Sequence, residues 1–299
     1  MLTRRHFLGL LSGVGAVGFA TASYAVGIEP MRLLTTSYRI TPPNWPADLK
    51  LKIVALADIH ACWPWMDGKR VSALVEKANG LGGDIIVLLG DYVKGISLGG
   101  RAIPHDEWLL PLSRLSAPLG VHAVLGNHDW WEDGTAQAEQ LPETFLHRML
   151  RRRGLLVYSN EARRLEKDGR PFWIAGLEDQ RALRRQQADF SYETRSLADL
   201  PKTMAGITDD APIIMMAHEP DIFATMPDRV SITLSGHTHG GQVQMFGRAP
   251  MVPSEFGGRY RYGHIVEEGR NLVVSGGLGC TGLPIRFGVP PEIVIVELG

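Results

Sequence analysis

Apolar residues in this chain fall into short, unbroken runs set between stretches rich in Gly, Pro and charge. Residues 51–57, 84–89, 121–125, 172–175, 213–217, 230–234, 271–275 and 292–298 are each too short for a helix and rich in Val, Ile and Leu. Such runs read as strands buried on both faces. Residues 32–40 differ: Leu34, Thr36, Tyr38 and Ile40 alternate with polar neighbours, as in a half-buried strand, until Pro42, Pro43 and Pro46 stop it. Helical spacing occupies residues 69–79, 106–115 and 142–153, the last with basic residues in its final turn and Gly154 placed to cap it. Strand, helix and strand over 51–89 form a βαβ unit, expected to be parallel and right-handed. The segment 240–270 is irregular, read either as a surface hairpin and loop or as a wall shaping access to a site.

At 299 residues, with 44% apolar and 21% charged residues, the chain has material for one large core. Basic and acidic residues nearly cancel, 31 against 32, so no polyanion such as nucleic acid is required as partner. Two cysteines, Cys62 and Cys280, exclude a disulfide-rich scaffold and match no zinc pattern. They are either two buried thiols or, if their loops meet, a disulfide in an oxidising compartment.

Thr3-Arg4-Arg5-His6-Phe7-Leu8 resembles the bacterial twin-arginine export signal, and a moderately apolar, glycine-rich segment follows it. Ser23-Tyr24-Ala25 offers small residues for cleavage after Ala25; the alternative is an uncut N-terminal anchor. Either way residues 1–25 are an address and 26–299 a single domain, expected outside the cytoplasmic membrane, in the periplasm or held at the membrane by the N-terminus. That route carries proteins already folded.

Five polar clusters follow the apolar runs in a fixed order: Asp58-Ile-His60, Gly90-Asp91, Gly126-Asn127-His128-Asp129, His218 and Gly236-His237-Thr238-His239. Together they offer carboxylates, an amide oxygen and several imidazoles, which is the inventory a pair of divalent cations needs. Oxygen and nitrogen donors without thiolate suit manganese, iron, zinc or cobalt alike. The other histidines (His6, His105, His122, His147 and His264) fit no cluster and read as structural or surface residues.

The order and wording of these clusters resemble the calcineurin-like metallophosphoesterase superfamily, from residue 48 to the C-terminus. The resemblance implies a layered α/β sandwich of two mixed sheets flanked by helices, with a dimetal site at strand C-terminal ends. It implies Asp58, His60 and His239 on one metal, Asn127, His218 and His237 on the other, and Asp91 bridging. His128 would face the leaving group as acid, and Asp129 would orient the His128 ring. Purple acid phosphatases place a tyrosine where this chain has Lys94, which argues against a ferric-tyrosinate centre; Lys94 is read as a phosphate contact or a solvated loop residue. Trp63 and Trp65 either line an apolar slot or pack their loop. Arg286 is read as a phosphate contact or, preferably, a buried ion-pair partner.

Gly277-Leu278-Gly279, residues 283–287 and Pro291-Glu292-Ile293 look like a bacterial branch of exported phosphodiesterases related to UDP-2,3-diacylglucosamine hydrolases. The expected reaction is hydrolysis of a small phosphodiester, lipid-linked or not. A phosphomonoesterase, a pyrophosphate hydrolase of the UDP-2,3-diacylglucosamine type and a non-catalytic binding module remain as alternatives, and oligomeric state is not readable.

Overall fold

Runs that are apolar on both faces need a packed layer on each side, and this requirement sets the architecture. The computed structural model describes residues 15–187, 189 and 192–299, so the twin-arginine motif lies outside the described residues. In chain order the main strands are β1 (Leu34–Ile40), β2 (Leu51–Leu56), β3 (Ile85–Leu89), β4 (Val121–Val124), β5 (Leu156–Val157) and β6 (Glu161–Lys167). They continue with β7 (Arg170–Gly176), β8 (Ile213–Met216), β9 (Ile232–Ser235), β10 (Gly263–Glu267), β11 (Arg270–Val274) and β12 (Glu292–Leu298). One mixed sheet runs β1-β12-β2-β3-β4-β5 and the other β10-β11-β9-β8-β7-β6.

Alternate residues of each strand enter different cores. Ile53, Ala55, Val87 and Leu89 meet Phe172, Ile174, Ile214, Met216 and Leu234 between the sheets. Their neighbours Val54, Leu56, Ile86 and Leu88 face outward, under α1 (Gly68–Gly80) and α2 (His105–Leu112). Ile213, Met215, Leu272 and Val274 fill a third core on the far side of the second sheet, with Phe223 and Tyr260. Period-two alternation is therefore invisible in the sequence: both faces are apolar because both are covered. The two-sheet sandwich with flanking helices agrees with the expectation.

Further helices include α3 (Asn127–Trp131), α4 (Gly134–Glu139), α5 (Phe145–Arg152) and α6 (Leu200–Ala205). The expected helix over 142–153 starts three residues later, because Thr144 and His147 form a capping box at its N-terminus. Gly154 follows it with φ of 86°, as a cap requires. Strand β6 and the hairpin of Leu183–Gln186 with Tyr192–Arg195 carry no apolar run and are not legible in the sequence.

Two further features bear on the site. Strands β2, β3 and β4 are mutually parallel, as are β8 and β9, so the residues after their C-terminal ends gather at one edge. At the N-terminus, Ala25 is buried and its carbonyl accepts from the Arg286 N–H (2.9 Å), while the Trp65 indole donates to the Val26 carbonyl (3.3 Å). The proposed cleavage point is thus packed into the domain. Among the described residues no helix is long and apolar enough to cross a membrane.

Candidate metal centre

Each strand end delivers its polar residue through a sharp turn. Asp58, His60, Asp91, His237 and His239 all have positive φ, between 48° and 68°. Asp, Asn and His are the non-glycine residues that tolerate this left-handed region best, and such strain gathers at functional sites. Close approach forces glycine beside them: a Cβ on Gly126 would sit 2.3 Å from Asp91 Oδ1, and one on Gly236 would sit 2.7 Å from Asp58 Oδ2.

These turns bring the expected residues together in two buried groups. Asp58, His60 and His239 form one; Asp91, His218 and His237 form the other, with donor atoms in each group within 4.8 Å of one another. Asp91 Oδ2 lies 3.5 Å from His60 Nε2 and 3.3 Å from His218 Nε2, between the groups, where a shared carboxylate would sit. Outer hydrogen bonds set three of the imidazoles. His60 Nδ1 meets the Val93 carbonyl at 2.9 Å, His218 Nδ1 the Leu89 carbonyl at 2.6 Å, and His237 Nε2 the Pro253 carbonyl at 2.9 Å. A carbonyl only accepts, so each of these nitrogens carries hydrogen and the opposite nitrogen turns toward the centre.

The donor set fits a pair of divalent cations. Asn127 Oδ1 is buried without a hydrogen-bond partner, an orphan oxygen that coordination would satisfy. His60 Nε2 and His239 Nε2 converge to 3.1 Å from stacked rings, as two imidazoles holding one cation would.

Burial dominates the charges here. It pushes His60 down to about 4 and holds His237 and His239 well below the usual imidazole range. It raises Asp58 to about 7, with Asp91 adding to the effect. Around Asp91 burial opposes ionisation, but His218, His128 and His60 outweigh it and hold the carboxyl well below its ordinary value. His218 is raised correspondingly, because Asp91 overcomes its burial. Without metal, these two are an ion pair.

His128 stands half-buried on α3, its Nε2 3.3 Å from Thr281 Oγ1 and its backbone N–H donating to Asp91 Oδ1 (2.9 Å). Asp129 departs from the sequence expectation. It does not bond the His128 ring, because its oxygens are taken by backbone amides: Oδ2 accepts from Asp91 (2.8 Å) and Gly126 (2.9 Å), Oδ1 from Tyr92 (2.8 Å) and Val93 (3.2 Å). It fastens the Gly90-Asp91 loop to the Gly126-Asn127 loop. It touches no reacting group.

A small cavity of about 180 Å³ opens onto the donors, lined by Asp91, Asn127, His128, His237 and His239 together with Trp131, Arg181, Pro253 and Thr281. Pro253 makes part of the 240–270 segment a wall of the site. Trp131, Arg181 and Thr281 belong to no motif, and only their position in space finds them. Lys94, Trp63 and Trp65 do not line this cavity; Trp63 instead stacks under Arg101 at 4.9 Å. Arg286 is fully buried and spends its guanidinium on the Gly279 and Val289 carbonyls and His239 Nδ1. It is neither a phosphate contact nor half of an ion pair. Cys62 and Cys280 are buried free thiols.

The family model for calcineurin-like phosphoesterases matches residues 51–241, from the first strand carrying a donor to just past the last donor. The chain belongs to this family. Among relatives of this phosphoesterase, an uncharacterized metallophosphoesterase of Bacillus subtilis, YkuE, is 30% identical over 99% of this chain and 98% of its own length. One from Aquifex aeolicus is 28% identical over 91% of this chain and 94% of its own. A bovine transmembrane protein with a metallophosphoesterase domain is 29% identical over 83% of this chain, which spans about half of that protein (53%). As a calcineurin-like phosphoesterase, the protein is a metal-dependent hydrolase of phosphate esters using a dimetal site.

Proposed function

We propose that the protein is a phosphodiesterase, with Asp58, His60 and His239 holding one metal, Asn127, His218 and His237 the other, and Asp91 shared. When bound, the pair supplies hydroxide near neutral pH and offsets the charge of the phosphate oxygens. The chain's own residues do the rest. His128, at the cavity mouth with Nε2 toward Thr281, donates a hydrogen bond or proton to the departing oxygen. Burial pushes its pKa below the usual imidazole range, with Asp91 opposing the shift. Asp129 holds the two donor loops in register.

The observation that carries the diester reading is that space continues beyond the metal cavity. Arg181 and Pro253 line both it and a larger one of about 760 Å³. A diester has a substituent on each side of phosphorus and needs that room; a monoester does not. The substrate is proposed to be a small phosphodiester, lipid-linked or free, met outside the cytoplasmic membrane, and the support for location is Arg4 and Arg5 ahead of an apolar leader. A diphosphate linkage is the second reading, favoured by the same room.

The test compares bis(4-nitrophenyl) phosphate with 4-nitrophenyl phosphate on protein supplied with manganese. Faster turnover of the diester is expected, reduced about a hundred-fold or more in His128→Ala. A preference for the monoester overturns the reading.

A further inference from the structure

Arg181 is the cavity's one guanidinium, and its setting is built rather than incidental. Its backbone is clamped on both sides: its N–H donates to Asp179 Oδ1 (2.7 Å), and its carbonyl accepts from the Trp131 indole (3.0 Å). The guanidinium lies 5.9 Å from the Trp131 ring centre; that of Arg184 lies 4.9 Å from the same ring and 4.9 Å from Tyr192. Among the described residues neither arginine has a carboxylate partner. Two like charges thus share one indole without a direct ion pair, while the acidic residues Glu219, Asp221 and Glu255 line the larger cavity, so the guanidinium pair beside Trp131 is the part of the lining that would attract an oxyanion. Trp131 in turn packs against the His128 ring at 5.1 Å. The pair therefore stands on the side of the site where the leaving group departs.

We propose that Arg181, backed by Arg184 across Trp131, is a subsite for a second anionic group, a carboxylate or phosphate, on the leaving arm of the substrate. This rests on the phosphodiesterase reading and narrows it. The reacting phosphate engages the metal-holding residues; the second oxyanion, a few bonds away, meets a planar fork suited to bidentate contact. The larger cavity beyond Arg181 then takes the rest of that arm.

Methyl phenyl phosphate and methyl 3-carboxyphenyl phosphate test it, with release of the phenol measured chromatographically on the metal-replete full chain. The two differ by one carboxylate on the leaving arm. Wild-type protein is expected to prefer the carboxylate diester. Arg181→Ala lowers that preference ten-fold or more, Arg184→Ala lowers it less, and Arg181→Lys recovers part of it. Arg185→Ala, on the same hairpin but outside the cavity, leaves the preference as it was. An unchanged preference in folded Arg181→Ala and Arg184→Ala overturns the subsite while the diesterase reading stands. Failure of the wild type to hydrolyse these diesters and bis(4-nitrophenyl) phosphate alike overturns both.

Discussion

The carboxylate of Asp129 holds the backbone of Asp91 from 38 residues away, accepting its N–H at 2.8 Å. Three further amides, of Tyr92, Val93 and Gly126, share the same carboxylate. Removing it leaves four buried N–H groups without an acceptor, each costing about 1–3 kcal/mol. Asp129→Ala is therefore expected to lower unfolding free energy by about 3 kcal/mol or more and to purify with little metal. Urea denaturation and elemental analysis check both outcomes. A variant of wild-type stability that keeps its metal would remove Asp129 from this role.

His128→Ala is the contrasting case. Its side chain is half-buried and its ring reaches another loop only through the long Thr281 Oγ1 contact (3.3 Å), so stability should change by about 1 kcal/mol or less while diesterase turnover falls. Thermal unfolding beside the activity assay separates the two residues. Equal loss of stability in both variants would count against the division of labour.

Metal uptake should release protons. In the metal-free protein His218 is held above its ordinary range by Asp91, so it is protonated at neutral pH and a cation must expel that proton to reach Nε2. Affinity then falls as pH falls. Titration calorimetry in buffers of different ionisation enthalpy should show a net proton release near pH 7, smaller in Asp91→Asn. No dependence on buffer would contradict the ion pair.

His122 predicts a distinct acid sensitivity. Burial pushes it down to about 4, with its ring between the Tyr158 hydroxyl (2.8 Å) and the Leu119 carbonyl (3.0 Å). Between about pH 6.5 and 4 the unfolded chain binds this proton and the folded chain does not, so stability is full above the unfolded value and is lost as pH falls through that window. The loss is on the order of 3 kcal/mol at most. Denaturation measured at pH 7 and pH 4.5 should show a smaller difference in His122→Gln than in wild type.

The N-terminal segment offers a simple check by mass. Ala25 is packed against the Arg286 backbone, Trp65 bonds the neighbouring Val26 carbonyl, and Arg70 bonds the Pro30 carbonyl in the following turn. A peptidase would have to open this turn, so protein produced from the full chain is expected to retain Ala25 joined to Val26. A mature N-terminus at Val26 would show that the turn opens before processing.

The sheets were readable because Ile53, Val54, Ile86 and Val87 are apolar wherever they point, both faces being covered. Donor positions were readable because each follows such a run. Strand β6 was not, since Glu161-Ala-Arg-Arg-Leu-Glu-Lys167 sits at a sheet edge with one side in water and needs no apolar pattern. Asp129 was misread for another reason: proximity in sequence suggests His128 as its partner, whereas three of its four donors come from a loop 36 to 38 residues earlier. Trp131 and Arg181 carry no local signal, and only folding sets them before His128.

The positive φ angles at Asp58, His60, Asp91, His237 and His239 constrain how an inactive comparator can be made. Valine or isoleucine at any of them would remove a donor and also fight the turn, so lost activity would conflate empty coordination with a displaced loop. Asparagine at the aspartates keeps the turn while removing the charge and one of the two acceptor oxygens. A silent variant built that way can still be asked whether it binds its substrate.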